Sequence, residues 1–261
     1  MDLLESGFAG TCAVVTGGSS GIGKACVLAL ARAGACVAFT YYSDPDEAHD
    51  VLAQVLSAGG RAQVRRVDVG DEAAVDAFFA EAERTYGPPR LLVNSAGVNM
   101  AGTRVRDMSL QQWETVIRAD LTGPFLLCRR FARGLEGRGG GRIVNISSIH
   151  EDAPRTGAAG YDSAKGGLAQ LTATLALELA PEGIAVNAVA PGMILTPMNQ
   201  AALDDPRELA RREAAIPWGR AGKPEEVADL VCYLLSSHAD YITGATVKID
   251  GALSLVVAPG A

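Results

Sequence analysis

The sequence contains no apolar run of the about 18 residues that a membrane-spanning helix needs. It also contains no sustained basic run, because its 23 lysines and arginines are scattered and 30 acidic residues give a net charge of -7. Clustered basic side chains bind nucleic-acid phosphates, so we expect neither a nucleic-acid nor a membrane partner. Residues 1–5 lack the basic flank and apolar core of a signal peptide, which predicts a cytoplasmic location.

Cysteines are few, and none has the close spacing that metal-binding or redox motifs use. Their number, five, is odd, and we interpret them as small buried side chains in a reducing compartment. They are Cys12, Cys26, Cys36, Cys128 and Cys232. We therefore expect no metal site.

The sequence does have a regular alternation of short apolar runs and longer amphipathic stretches. It is 48% hydrophobic and 20% charged, so its 261 residues can bury a large core. The apolar runs cover residues 12–16, 36–40, 62–67, 91–93, 142–146, 184–190 and 246–249. Because no linker interrupts them, we predict one α/β domain over residues 1–261, with a Rossmann-type, doubly wound sheet of seven parallel strands.

One insert interrupts the alternation, between Pro191 and Pro224. It contains several charged residues and follows the carboxyl end of a predicted strand, where α/β proteins place substrate lids. We predict that the segment 193–216 is such a lid. An ordinary solvated pair of surface helices is the alternative.

A glycine-rich turn follows the first predicted strand and opens a helix. Its glycines have the spacing Gly-x-x-x-Gly-x-Gly. Glycine lets the backbone turn tightly and approach a pyrophosphate, which the amides and positive dipole of the helix then hold. A purely structural turn is the alternative. The predicted cofactor-binding residues of this turn are Gly17, Ser19, Ser20, Gly21, Ile22 and Gly23.

The end of the second strand bears on the choice between NAD and NADP. An acid there commonly bonds the ribose diol of NAD, but this chain has Tyr41, Tyr42 and Ser43, and the first acid is Asp44. The hydroxyls can bond a 2′-phosphate that a carboxylate would repel. No arginine or lysine stands in this stretch to pair with that phosphate, so the pattern only slightly favours NADP or dual use.

Small residues end the fourth predicted strand, at residues 94–97. They let a cofactor ring lie against the backbone, and the amide of Asn94 can brace neighbouring loops. We therefore include Asn94, Ala96 and Gly97 among the cofactor-binding residues. A simple turn is the alternative at this position.

The strongest chemical signal is Tyr161 followed four residues later by Lys165. Residues four apart share a helix face, so the ammonium group lies near the phenol and favours the phenolate. Such a tyrosine can act as a general acid or base. Ser148 ends the fifth strand 13 residues upstream, where its hydroxyl can hold a substrate oxygen against the phenol.

Together these motifs resemble the short-chain dehydrogenase/reductase family over roughly residues 8–252. The resemblance implies that Ser148 orients the substrate and Tyr161 transfers the proton. It implies that Lys165 assists the tyrosine and binds the nicotinamide ribose. The motifs, in order, are residues 16–23, Asp68 with Val69, residues 94–97, Ser148, Tyr161 with Lys165, and Pro191 with Gly192. Asp68 and Val69 would contact adenine, and Pro191, Gly192, Ile194 and Thr196 complete the cofactor site, with Ile194 and Thr196 at its carboxamide end.

Within the family the chain is most similar to bacterial glucose 1-dehydrogenases, on residues 145–151, 165–167 and 224–226. There the residues matching His150 and Asn199 line the sugar site, with a loop histidine that binds nothing as the alternative for His150. Two positions depart from the pattern. Asp120 replaces the family's fourth catalytic residue, an asparagine, and Asn99 replaces an acid of the glucose subgroup. On the family pattern, Asp120→Asn should leave activity intact or raise it.

The sequence thus predicts an NAD(P)-dependent oxidoreductase that interconverts a secondary alcohol and a carbonyl on a small molecule, such as a sugar or polyol. A biosynthetic ketoreductase for acyl, steroid or aromatic ketones is one alternative. A non-catalytic protein that senses dinucleotides is another, although it should have lost Tyr161 or Lys165. A leucine stripe along residues 161–179 and an apolar tail at residues 253–259 predict a homotetramer, or at least a dimer.

Overall fold

Seven parallel strands form one sheet in the part of the chain that the computed structural model describes, residues 7–200 and 204–256. The strand order is β3-β2-β1-β4-β5-β6-β7. Each strand boundary lies within one residue of the predicted apolar run, and the predicted fold class is confirmed. The strands are β1 (Cys12–Val15), β2 (Cys36–Tyr41), β3 (Arg61–Arg66), β4 (Leu91–Asn94), β5 (Gly141–Ile146), β6 (Ile184–Pro191) and β7 (Thr246–Ile249).

Helices connect the strands and cover both faces of the sheet. They are α1 (Gly21–Arg32), α2 (Pro45–Ser57), α3 (Glu72–Tyr86), α4 (Leu110–Ile117), α5 (Gly123–Leu135), α6 (Ala159–Leu179), α7 (Pro206–Glu213) and α8 (Pro224–Leu235). Side-chain caps fix several helix starts, as at Asp44 for α2 and Asp71 for α3. Within residues 7–200 and 204–256, none of the helices combines the length and apolarity needed to traverse a bilayer.

The core consists of two apolar layers, one on each face of the sheet. Successive strand residues point to opposite faces, so Val15 packs with α1, α2 and α8 while Val14 packs with α3, α5 and α6. Burial of large side chains on both faces, such as Leu30 and Phe78, fixes the register of the central strands. The carboxyl ends of the strands therefore meet at one well-defined edge.

The strand order reverses between β1 and β4, where the chain crosses from one half of the sheet to the other. Connections leave these neighbouring strands in opposite directions and open a crevice at their carboxyl ends, where such folds bind ligands. The hydroxyl of Thr16 accepts the amides of Ser95 and Ala96, each at 3.1 Å, and ties the two strand ends together. The glycine-rich turn is thus fixed beside the end of β4.

The leucine stripe of α6 faces the protein's own core rather than a partner. Ala164, Leu168 and Leu179 are buried, and Leu175 packs against the layer formed with α3 and α5. Leu177, on the same helix but outside this stripe, is 80% exposed. The stripe therefore does not support oligomer formation as the sequence suggested.

The predicted lid divides into two parts. Residues 194–199 pack against the carboxyl edge of the sheet, and Ile194 forms a bridge with Gly222. Helix α7 buries none of its side chains, as expected of a solvated surface helix. Residues 201–203 of the predicted lid and 257–259 of the predicted apolar tail lie outside the described residues.

Candidate active site

A cavity of about 500 Å³ opens at the carboxyl edge of the sheet, over the point where the strand order reverses. Most of the predicted site residues form its wall. They are Gly17, Ser19, Ser20, Gly21, Ile22, Gly23, Tyr41, Tyr42, Ser43, Asp68, Val69, Ala96, Gly97, Asp120, Ser148, Tyr161, Lys165, Pro191, Gly192, Ile194, Thr196 and Asn199. Asn94 and His150 are the two exceptions.

The glycine turn leaves a helix terminus free for an anion. Ser20 precedes α1 but makes no side-chain cap, and the first turn of α1 contains no acidic residue. By contrast, α2 and α3 are capped by aspartates and have acids in their first turns. The first amides of α1 therefore have no side-chain acceptor, and the positive end of its dipole faces the cavity. This turn fits the pyrophosphate of a dinucleotide.

Close backbone packing explains the glycines of the turn. A Cβ atom on Gly23 would overlap the carbonyl oxygen of Gly17, and one on Gly17 would lie 2.9 Å from the Cα of Ala96. Gly17 and Gly21 also have positive φ angles, 65° and 53°. These positions require glycine because a side chain would push the turn out of the cavity wall.

Polar side chains surround the cavity at the ends of β2 and β3. Asp68 accepts the amide of Gly70 through Oδ1, and its Oδ2 pairs with Arg118 at 3.0 Å. Arg66 lies beside Tyr42, with Nε donating to the tyrosine carbonyl at 2.9 Å and the guanidinium carbon 5.5 Å from the ring centroid. Residues 40–43 contain no arginine or lysine, but Arg66 supplies a cation beside them from the neighbouring strand. Arg66 was missed because it comes from the neighbouring strand, in register with Tyr41.

Tyr161 and Lys165 lie on the first two turns of α6, and both are buried. The Nζ atom of Lys165 is 5.4 Å from the Tyr161 ring centroid and donates to the carbonyl of Ile146 at 3.0 Å. That bond fixes the lysine against the end of β5. The helix therefore brings the phenol and the ammonium group together, as their four-residue spacing predicts.

Asp120 stabilises the charge on Lys165 directly. It lies on a π-helical turn between α4 and α5, is fully buried, accepts the amide of Val98 at 2.7 Å through Oδ1, and places Oδ2 3.1 Å from Nζ of Lys165. Burial raises the pKa of the Asp120 carboxyl group, and Lys165 with the Val98 amide offsets only part of that rise. Burial by itself lowers the pKa of Lys165, but the charges of Asp120 and Tyr161 contribute to a net increase. Lys165 thus stays protonated beside the phenol.

This contact leads us to expect that Asp120→Asn is not neutral. If the asparagine oxygen still accepts the amide of Val98, its NH₂ group faces the ammonium of Lys165. The lysine then has no negative charge beside it, and burial lowers its pKa. Lys165 then loses its proton at lower pH than in the wild type, so the alkaline limb of the pH–kcat profile should move to lower pH. At the acidic end of the profile, any pH dependence of kcat that is due to the Asp120 carboxyl group should disappear. Steady-state kcat from about pH 5 to about pH 11 measures both effects, and superimposable profiles would contradict them.

Ser148 has a hydroxyl proton available for a substrate. The residue is buried at the cavity wall, and its Oγ accepts the amide of His150 at 3.2 Å. The imidazole of His150 turns instead to its own loop, with Nδ1 2.7 Å from the carbonyl oxygen of Ala153, and its ring lies edge-on to Tyr161 at 6.2 Å. The position of His150 outside the wall does not match the predicted substrate contact. The backbone amide of His150 instead contacts the hydroxyl oxygen of Ser148.

Asn94 also lies behind the cavity rather than on its wall. Its Nδ2 donates to Oδ1 of Asn145 at 2.8 Å, and Asn145 in turn donates to the hydroxyl of Thr172 on α6. Asn94 also approaches the sulfur of Cys128, whose pKa is raised to about 12 by burial. The prediction that Asn94 contacts cofactor does not match this position. Its amide instead links β4, β5 and α6, the three elements that bear the site.

Asn199 is part of the cavity wall. It follows Thr196 in a short turn, and its Nδ2 donates to the carbonyl of Ile194 at 2.8 Å. This hydrogen bond fixes the shape of the segment, and the side-chain oxygen Oδ1 is left to accept a hydrogen bond from another group. A Cβ atom on Gly97 would lie 2.7 Å from Oδ2 of Asp120, which explains the glycine at that position.

Sequence reasoning missed a further set of wall residues. They are Thr40, Val67, Ser95, Val98, Thr115, Arg118, Ala119, Ile146, Ser147, Pro197 and Met198. Most flank a predicted motif by one or two positions, so adjacency was the available signal. Ser147 is such a case, since its hydroxyl donates to Glu151 at 2.6 Å. Burial raises the pKa of the Glu151 carboxyl group, although the hydrogen bond from Ser147 opposes that shift.

Comparison with known proteins agrees with this geometry. A family model described as enoyl-(acyl carrier protein) reductase matches residues 17–254. 3beta-hydroxysteroid dehydrogenase 1 of Eggerthella lenta is 40% identical over 94% of this chain and 94% of its own. Glucose 1-dehydrogenase 2 of Bacillus subtilis is 37% identical over 94% of this chain and 95% of its own.

Among solved structures, a short-chain dehydrogenase/reductase from Serratia marcescens superposes with a TM-score of 0.87 at 37% identity. The match covers 95% of this chain and 99% of that one. The family resemblance inferred from the motifs is therefore confirmed. The chain belongs to the short-chain dehydrogenase/reductase family and is an NAD(P)-dependent oxidoreductase.

Proposed function

We propose that this enzyme interconverts a secondary alcohol and a carbonyl on a small polyhydroxylated substrate, a sugar or polyol. The observation that carries the proposal is the common wall formed by Ser148, Tyr161 and Lys165, facing a helix terminus suited to a dinucleotide. Similarity to a glucose 1-dehydrogenase supports the substrate class. The presence of both Tyr161 and Lys165 in the cavity argues against a protein that only senses dinucleotides.

When bound, the nicotinamide cofactor supplies the acceptor or donor of the hydride. In the oxidative direction, Ser148 donates a hydrogen bond to the substrate hydroxyl oxygen and holds it near Tyr161. The phenolate of Tyr161 takes the hydroxyl proton while the carbon loses its hydride, so the alcohol loses two electrons and two hydrogens in all. Lys165 stabilises the phenolate by its charge, and Asp120 acts as a positioning residue that keeps the lysine protonated.

The cofactor would lie along the cavity between these residues and the glycine turn. Residues 19–23 would hold the pyrophosphate, Asp68 and Val69 the adenine, and residues 191–196 the carboxamide end. The uncapped amides of α1 and the glycine contacts support this assignment, since a side chain at Gly17 or Gly23 would obstruct the turn.

For the cofactor we favour NADP or dual use over NAD alone. Tyr42 and Ser43 line the cavity, and the next acid in the sequence, Asp44, is engaged as the cap of α2 through the amide of Glu47. Arg66 adds a cation beside Tyr42. A guanidinium group with its planar donors suits a 2′-phosphate, which carries charge that the ribose diol of NAD lacks.

Replacing Arg66 with glutamine should raise KM for NADP⁺ about tenfold and change KM for NAD⁺ less than about threefold. The reason is that only the 2′-phosphate loses a charge-assisted hydrogen bond. Arg65→Gln is the matched control, because Arg65 precedes it on β3 but pairs with Glu81 at 2.6 Å. If KM rose equally for both cofactors, or changed for neither, the result would contradict the NADP assignment.

A second candidate substrate is a hydroxysteroid or another bulky ketone. The similarity to a 3beta-hydroxysteroid dehydrogenase favours it, as do the exposed apolar side chains of Val98 and Met198 at the cavity wall. A panel of aldoses, polyols, 3-hydroxysteroids and aromatic ketones, followed by cofactor absorbance at about 340 nm, separates the candidates. Turnover of steroids with none of the sugars or polyols would overturn the first proposal.

We further propose a cytoplasmic homotetramer. Exposed apolar side chains occur on three neighbouring helices, Leu110 on α4, Phe125 on α5 and Leu177 on α6. A second group includes Trp218 and Leu255, at 73% and 75% exposure. Such side chains are typical of subunit contacts. Light scattering at micromolar concentration should report four subunits, and a monomer would refute the assignment.

A further inference from the structure

Two loops meet beside the ring of Tyr161. One follows β4 and contains Asn99 and Gly102, and the other precedes α6 and contains Arg155 and Gly157. The amide of Gly102 donates to the carbonyl of Gly157 at 2.8 Å, which joins the two backbones. The guanidinium of Arg155 donates to Oδ1 of Asn99 at 3.0 Å, and its carbon lies 5.9 Å from the Tyr161 ring centroid.

The charge of Arg155 is not neutralised by this arrangement. Asn99 offers an uncharged acceptor, and within the described residues no carboxylate lies at ion-pair distance from the guanidinium. The carboxylate of Asp162 contacts Arg155 at its backbone instead, where it accepts the amide at 2.9 Å. Arg155 is exposed, so a solvent-facing cation with free donors stands beside the ring of Tyr161, which is itself part of the cavity wall.

The hydrogen bond to Asn99 accounts for one of the five donors of the guanidinium group. A neutral N–H group can also donate to an amide oxygen, and the backbone bond between Gly102 and Gly157 joins the loops as well, so the contact with Asn99 does not by itself require the charge. One guanidinium group matches one carboxylate in charge and in planar geometry. A phosphate dianion would call for a second cation, and Lys165 is engaged with Asp120.

We propose that Arg155 binds a carboxylate on the substrate, so that the enzyme acts on a hydroxy acid and its keto acid. The carboxylate lies a few bonds from the carbon that exchanges hydride, because the guanidinium group stands beside the ring of Tyr161. This inference rests on the proposed function and narrows its substrate class from neutral polyols to polyhydroxy or hydroxy acids. Arg155 is then a residue that determines specificity.

The test compares acids with the alcohols that match them. D-Gluconate and D-sorbitol share a hydroxylated chain that ends in a carboxylate or in CH₂OH, and 3-hydroxybutanoate and butane-1,3-diol form a shorter pair. Steady-state kcat/KM with NAD⁺ and NADP⁺ is measured for the wild type and for Arg155→Gln and Arg155→Lys. Calorimetric titration of each compound into the enzyme–cofactor complex gives a dissociation constant that does not depend on turnover.

In at least one pair the wild type should prefer the acid. Arg155→Gln should lower kcat/KM for that acid about 10-fold to 100-fold, mainly through KM, and change that for the alcohol less than about threefold. Arg155→Lys should retain part of the preference. Arg133→Gln is the matched control, because α5 ends where β5 begins and Arg133 thus lies at the opposite edge of the sheet. It should leave both members of the pair unchanged.

Equal kcat/KM and equal dissociation constants for acid and alcohol in both pairs would overturn the inference. So would an acid preference that survives intact in Arg155→Gln. Failure of the proposed function gives a different pattern, in which no alcohol or ketone of any charge changes the cofactor absorbance. In that pattern the titrations still decide whether Arg155 selects a carboxylate.

Discussion

Tyr161→Phe should lower kcat at least about a hundredfold, which is the low end of the loss expected when a general acid or base is removed. The substitution keeps the ring and its packing against the buried surroundings of α6, where Tyr161 contacts residues of α4. It removes the hydroxyl that exchanges the proton with the substrate. The variant should therefore fold normally and bind cofactor nearly as the wild type does, while KM changes little.

Tyr233→Phe is the matched control for this prediction. Tyr233 lies on α8, on the other side of the sheet, and its hydroxyl is 3.5 Å from the carbonyl oxygen of His238. Both variants lose one phenolic hydroxyl, but only Tyr161 shares a cavity wall with Ser148 and Lys165. The control should retain full kcat. A Tyr161→Phe enzyme that keeps most of its turnover would show that the proton moves through another group.

Gly23→Ala should weaken cofactor binding at least about tenfold and lower the melting temperature. The new methyl group would overlap the carbonyl oxygen of Gly17, so the turn or the start of α1 must shift. A shift of the backbone amides by a fraction of an ångström misplaces the donors for the pyrophosphate, and overpacking adds about 1–3 kcal/mol of strain. Calorimetric titration of NADP⁺ and thermal denaturation measure the two effects separately.

Gly166→Ala provides the control for the glycine turn. Gly166 lies within α6, and a Cβ atom there would meet the carbonyl oxygen of Glu151 at 3.4 Å, an ordinary contact. Alanine in a helix interior is favoured over glycine by about 0.5–1 kcal/mol, so this variant should be at least as stable as the wild type. If Gly23→Ala bound cofactor as tightly as Gly166→Ala, the turn would not be the pyrophosphate site.

Much of the fold could be predicted from the pattern of apolar residues over short stretches of sequence. The apolar runs of the inner strands are buried on both faces, whereas the edge strands β3 and β7 are partly exposed, and the regular alternation with helices was enough to infer strand identity and parallel order. The pairing of Tyr161 with Lys165 was equally local, because four residues span one turn of α6. The leucine stripe of α6 was misread, since periodicity indicates a buried face without saying whether the partner is the same chain.

The parts of the site that could not be predicted depend on neighbours distant in sequence. Arg66 lies on the strand next to β2 and contacts Tyr42 from there, and the separation of 24 positions in the sequence gives no local signal. Asp120 and Lys165 meet because a π-helical turn packs against α6. The family pattern showed only that a carboxylate replaces an amide at position 120, and it did not show this contact. The bond that turns His150 towards Ala153 depends on the geometry of a short 3₁₀ turn.

The position of Asn94 behind the cavity also could not be predicted from its neighbours in the sequence. Its position at the end of β4 is adjacent to Ala96 and Gly97, which line the cavity, and sequence alone does not distinguish them. Strand alternation and the network through Asn145 direct its amide into the core. An Asn94 contribution to activity would therefore act through the placement of β5 and α6.

The most direct test of catalysis by this cleft follows the hydride itself. The wild type and Tyr161→Phe are mixed with a stoichiometric amount of NAD⁺ or NADP⁺ and an alcohol of the panel deuterated at the carbinol carbon. Absorbance at about 340 nm and the mass of the recovered cofactor are then recorded. The proposed mechanism predicts that the wild type forms reduced cofactor bearing one deuterium, at least about a hundred times faster than Tyr161→Phe. Cofactor that binds without being reduced by any alcohol, or equal rates in the two proteins, would contradict it.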